Sequence, residues 1–198
     1  MLNSSKDLMM KKVLFLAFLS LAVLTACQRI EERKLYAVPA EVDHSKKLDD
    51  AQSPYYNGLI EEYRAILSGD PNNFAALVAL GNAYYDSGRW HDAITMYEHA
   101  LHIDPSNADV RTDMGTAYRY INMPDRALAE YRIALAHEPD HLNARYNMGI
   151  VLAKDKKNYP AAIRIWEELL KREPNFPNAD AIRSSIAAMR KGIQKGTR

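Results

Sequence analysis

From about residue 52 onward, apolar and small residues fall into two alternating helical patterns. Ala93, Tyr97 and Ala100 are spaced i, i+4, i+7, which places them on one face of a helix. Ahead of them, Leu80-Gly81 and Tyr84 belong to a separate helix. The same residue types return 34 positions later as Met114-Gly115, Tyr118, Ala127, Tyr131 and Ala134. A third set, Met148-Gly149, Leu152, Ala162, Trp166 and Leu169, carries one extra residue between its halves. Pro71, Pro105, Pro139 and Pro174 each follow an acidic residue and close a helix, because proline cannot continue one and drives the preceding residue out of the α region. Asn73 and Asn107 are placed to cap the helices that come next. Gly88 suits a left-handed helix stop, Asn122 suits it less well, and Pro160 fits a first helical turn. The extra residue of the third copy falls within 154–158.

Leu59, Tyr63, Ile66 and Pro71 repeat the spacing of Ala93, Tyr97, Ala100 and Pro105. They predict a second-type helix over 52–67 without its first-type partner, since 42–50 is too polar to supply one. After Pro174, a helix over 178–191 has Ile182, Ile186 and Met189 on one face, but Arg183-Ser184 where Leu-Gly is expected. A more polar terminal helix is what a stack of repeats needs to close its last layer. Eight helices result. Gly81 and Ala93 lack bulk, so paired helices can approach closely, with Tyr97, Tyr131 and Trp166 as core aromatics between them.

A 34-residue period with these small, aromatic and proline positions resembles the tetratricopeptide repeat, a helix–turn–helix unit. The resemblance implies an all-α, right-handed superhelix over 52–194. It comprises a half repeat (52–73), full repeats at 74–107, 108–141 and 142–176, and a capping helix (178–191). In this family the first helix (A) of each repeat lines a concave face that binds peptides. Carried over by register, that face takes Val78, Asn82 and Tyr85 from the first repeat. The second contributes Asp109, Thr112, Thr116, Arg119 and Tyr120, and the third Asn143, Tyr146, Asn147, Ile150 and Lys154. Asparagine and threonine can bond a peptide backbone, and tyrosine adds apolar contact with a polar tip. Some family members clamp a C-terminal carboxylate with lysine and asparagine. Asn82 matches the asparagine, whereas Val78 stands where the lysine belongs, which leaves the clamp incomplete. The large residue early in helix A is Leu77, Arg111 and Arg145 in turn; the arginines are expected over an aromatic ring or in solvent.

Lys11-Lys12, the apolar run 13–24 and Leu24-Thr25-Ala26-Cys27 have the layout of a secretory signal. Twelve helical residues cover only ~18 Å, short of the ~30 Å hydrocarbon core. Leu-Thr-Ala-Cys resembles the bacterial lipobox, which implies cleavage after 26 and acylation of Cys27. The alternative, an ordinary cleaved signal, leaves the position of the only cysteine to chance. Gln28 in place of an aspartate favours the outer membrane within that resemblance, and Met9 or Met10 would serve as starts as well as Met1. Residues 27–51 are charged and aperiodic, and are expected to act as a flexible tether.

The formal net charge is +1, and removing residues 1–26 takes away three lysines and one aspartate to leave −1. Without a concentrated basic face, nucleic-acid binding is not expected. His99 with His102, and His137 with His141, lack clustered carboxylates or thiols and are read as surface residues rather than a metal site. No phosphate loop or hydrolase motif occurs, so no cofactor and no enzyme activity are expected. The expected function is a lipid-anchored scaffold for an envelope protein or peptide, with oligomeric state open. Alternatives are an accessory in cytochrome c maturation that holds apoprotein, or a non-catalytic subunit of an envelope enzyme.

Overall fold

The computed structural model describes residues 53–196, so the signal, Cys27 and the tether lie outside the described residues. Within that range the chain forms eight helices and no strand. They are α1 (Ser53–Gly69), α2 (Phe74–Asp86), α3 (Trp90–Ile103), α4 (Ala108–Tyr120), α5 (Pro124–His137), α6 (Leu142–Ile150), α7 (Tyr159–Arg172) and α8 (Ala179–Gly196). The fold is the all-α solenoid expected: α2–α3, α4–α5 and α6–α7 are full repeats, α1 is a half repeat and α8 caps the end.

Local chemistry sets the ends. Asn73 and Asn107 accept hydrogen bonds from the N–H groups of Ala76 and Val110, both at 3.0 Å, as the sequence predicts. At the third repeat His141 does the same, its Nδ1 accepting from Ala144 N at 3.1 Å, so it is a helix cap rather than a free surface histidine. Gly88 (φ 75°) and Asn122 (φ 60°) take the left-handed stop between A and B helices. There Arg89 N bonds Tyr84 O at 2.8 Å and Met123 N bonds Tyr118 O at 2.9 Å.

The third repeat absorbs its extra residue by widening. Past Ile150, α6 runs on as a π-helical turn over Val151–Asp155, and Lys157 (φ 52°) takes the left-handed position. The closing bond runs from Asn158 N to Leu152 O, one residue wider than in the other repeats. Asn158 then caps α7 through Ala161 N, and Pro160 sits in its first turn.

The core is a continuous seam between A and B helices. Ala93, Tyr97, Ala127, Tyr131, Ala162 and Leu169 are fully buried. A Cβ added at Gly81 would lie 2.6 Å from Tyr97, and one at Gly115 would lie 2.7 Å from Tyr131. At Gly149 it would overlap the Trp166 indole. Glycine is required here for close approach, and the aromatics are packing residues. The two arginines early in helix A bond the preceding turn: Arg111 donates to Pro105 O and pairs with Glu130 at 2.9 Å, while Arg145 donates to Pro139 O. Neither stacks on a ring or points into solvent, which corrects the expectation. A turn carbonyl left open by proline is the stronger attractor for a fork of N–H donors.

Candidate partner-binding site

The A helix α4 packs directly on α6, and α2 reaches α4 through Tyr85 and Tyr120. The residues carried over by register belong to these A helices or to the turn that extends α6, and they divide by what they touch. Thr112, Thr116, Tyr146 and Ile150 are buried. Thr112 Oγ1 donates to Ala108 O within its own helix, and Ile150 packs in the core, so neither offers side-chain surface to a ligand. Tyr146 lies against Trp166 and Phe176, with ring centroids 6.5 and 5.3 Å apart. Register alone counts a helix face. It cannot see a neighbouring repeat closing over that face.

A second group links one A helix to the next. Asn147 Nδ2 donates to Thr116 Oγ1 at 3.2 Å, and Thr116 Oγ1 also shares a hydrogen bond with the Tyr131 hydroxyl at 3.1 Å. His141 Nε2 lies 3.0 Å from Asp109 Oδ1. Since its Nδ1 accepts from the backbone, Nε2 carries the proton and donates to the carboxylate. Arg119 reaches Asp155 with Nε at 2.5 Å, both side chains being only partly exposed. Burial works against the Arg119 charge, but the Asp155 carboxylate more than offsets it, and the guanidinium is held firmly protonated. Three polar ties therefore join α4 to α6 and the turns at its two ends.

Repeats one and two meet differently. Tyr85 sits edge-on to Tyr120 with centroids 5.5 Å apart, and Trp90 stacks on Tyr120 at 5.1 Å. Burial, with Tyr120 next to it, pushes the Tyr85 phenol well above its usual range, so it remains a neutral hydrogen-bonding group. Trp90 was missed by register because it opens a B helix. An aromatic at the A–B corner, facing Tyr85 and Tyr120, was the available signal. Asn82 uses its Oδ1 to accept from the Tyr97 hydroxyl at 2.7 Å, which commits half of its amide to the core. Val78 is half-buried against the core, while Asp109, Asn143 and Lys154 remain exposed.

The site is therefore a row of A helices: an aromatic corner of Tyr85, Trp90 and Tyr120 at one end, and exposed polar residues beyond it. It offers apolar contact, amide groups and charges of both signs, and these are binding groups rather than a reaction centre. Of the remaining histidines, His99 lies within hydrogen-bonding distance of Asn72 and His102 of the Glu98 carbonyl.

Residues 81–119 match a family model described as TPR repeat, and residues 112–180 match one described as tetratricopeptide repeat. The chain belongs to the tetratricopeptide repeat family. Among solved structures it is similar to a crystal structure of MamA, with 26% identity, 75% of this chain and 86% of that chain covered, and a TM-score of 0.65. It also resembles the first TPR of Spaghetti (RPAP3) bound to the HSP90 peptide SRMEEVD, at 22% identity, 63% and 96% coverage and a TM-score of 0.56. A tetratricopeptide repeat protein from Parabacteroides merdae gives 21% identity, 72% and 56% coverage and a TM-score of 0.63. The last two show the fold alone. No curated protein matches the sequence. Proteins of this fold are non-catalytic interaction scaffolds in general, and the class of function follows from that.

Proposed function

We propose that this protein is a lipid-anchored scaffold of the bacterial envelope that binds a peptide or protein segment along its A-helix face. The row of A helices, already tied together by side chains, carries this reading. Binding costs less ordering when the surface is held in place beforehand. The Spaghetti domain binds an HSP90 peptide, and the same architecture supports a peptide ligand here. The chemistry of recognition differs, since Val78 replaces a clamp lysine and Asn82 is engaged by Tyr97. An extended segment with apolar side chains for the aromatic corner fits better than one held by its terminal carboxylate. Acylation of Cys27 would hold the scaffold at the membrane, where confinement raises the effective concentration of its partner.

Two measurements test the parts separately. A photo-crosslinking residue at Asn143 in intact cells should capture a partner, and one at the exposed Ala129 of the B helix α5 should not; the reverse result removes the A-face assignment. Substituting Cys27→Ser should abolish metabolic labelling by palmitate and release the protein from membranes. Labelling that survives the substitution rules the anchor out.

A further inference from the structure

We propose that the open face of α1 is an acceptor for a helix of another protein, which completes the unfinished first repeat. In the full repeats the B helix buries one stripe under its own A helix: Ala93, Tyr97 and Ala100 are all 0% exposed. The same stripe on α1 is Leu59, Tyr63 and Ile66. Leu59 and Tyr63 are only half-buried, Ile66 is 42% exposed, and Tyr55, one turn earlier, is 65% exposed. This stripe continues the A–B interface that runs through the whole solenoid.

The polar tips point the same way. In each full repeat the central ring is tied to its A helix: Tyr97 to Asn82 Oδ1 at 2.7 Å, Tyr131 to Thr116 Oγ1 at 3.1 Å, and Trp166 to Tyr146 O at 3.1 Å. Among the described residues the Tyr63 hydroxyl has no such tie. Glu62 holds the register position of Glu130, which pairs with Arg111 of its own A helix, and Glu62 is exposed. The chain's own sequence does not fit the gap. Thirty-four positions before Leu80, Gly81, Ala83 and Tyr84 stand Lys46, Lys47, Asp49 and Asp50, charges too costly to bury against the stripe.

The existing interfaces specify the occupant. Its helix presents a glycine to the Tyr63 ring, as Gly81 and Gly115 do to Tyr97 and Tyr131. Leucine or methionine precedes that glycine, asparagine or threonine follows it to take the hydroxyl, and an arginine four positions earlier meets Glu62. Arg111, Met114, Gly115 and Thr116 show the full pattern, and it matches the helix-in-groove mode of recognition.

A labelled synthetic peptide with the sequence of residues 107–121 is the probe, titrated by fluorescence anisotropy against the full chain in detergent. Saturable binding is expected, weakened at least about tenfold by Ile66→Asp and by Glu62→Lys. Changing Asn143 and Lys154 should leave it unaltered, which separates this face from the peptide site proposed above. The absence of saturable binding, or equal binding by Ile66→Asp, overturns the proposal. A free chain that sediments as a dimer and becomes monomeric with Ile66→Asp would put a second copy on the face and overturn it too. So would failure of a maleimide to reach Ile66→Cys in the free protein, since the chain's own 28–52 would then cover the stripe.

Discussion

Repeats one and two build their A–B seam from glycine against tyrosine, while repeat three builds it from glycine against tryptophan. The larger indole has no hydroxyl to tie to an A-helix side chain, and its Nε1 donates instead to the backbone carbonyl of Tyr146. The A helix of that repeat is also longer by one residue, taken up as a π turn. The family pattern therefore tolerates a different ring and a different period, provided that the small residue opposite and one hydrogen bond at the ring's tip are kept. The requirement is on volume and polar satisfaction at the crossing point, more than on residue identity.

The largest effect should come from breaking that crossing. Gly149→Ala drives a methyl into the Trp166 indole and should cost about 3 kcal/mol or more. Gly115→Ala meets the edge of Tyr131 and should cost about 1–3 kcal/mol. Urea unfolding of the two variants measures the difference, and equal losses would mean that ring size does not matter. Gly58→Ala, with nothing within 4 Å of its Cβ, should instead stabilise by roughly 0.5–1 kcal/mol.

The tyrosine and tryptophan seams should also separate in alkali. Burial raises the Tyr131 phenol above its ordinary 10.0. The unfolded chain then gives up that proton first, so stability is unaffected below pH 10 and falls as the pH rises beyond it. The slope is roughly 1.4 kcal/mol per pH unit for one such phenol until the folded form ionises as well. Tyr131→Phe should remove this contribution, and at neutral pH it should cost about 1 kcal/mol from the lost Thr116 bond. A pH series of unfolding curves checks it, and an unchanged alkaline slope would contradict the assignment. Trp166 contributes no such slope.

Smaller effects should mark the helix ends. Asn107→Ala should cost about 1 kcal/mol, and His141→Ala a similar amount, because each side chain accepts one N–H at a helix start. His141→Asn should retain most of that stability and would show that the cap, rather than the Asp109 tie, is what counts. Smallest of all, Lys157→Gly should stabilise by a few tenths of a kcal/mol, since Lys157 holds a left-handed backbone that glycine adopts without strain.

Much of the fold was legible in the chain because the period encodes it. Prolines mark helix ends, asparagines mark starts, and glycine opposite an aromatic marks each crossing. The candidate site was less legible. Register assigns Asp109, Thr116, Arg119 and Asn147 to a ligand-facing side, yet they bond His141, Tyr131, Asp155 and Thr116 of neighbouring elements. Local spacing does not report which side chains meet across repeats. His141 shows a related limit: its role as a cap depends on how one ring nitrogen meets the backbone, and histidine is not a usual cap residue.

For the described residues, helix number, helix pairing and the make-up of the seam follow from local spacing, because each is set by residues within about 34 positions of one another. Which residues of the A-helix face are exposed, and which hold the repeats together, came from the packing of the helices. That packing also decided that, among the described residues, no A helix covers Leu59, Tyr63 and Ile66 of α1. Those outcomes depend on what the neighbouring repeat, or its absence, brings within hydrogen-bonding and packing distance.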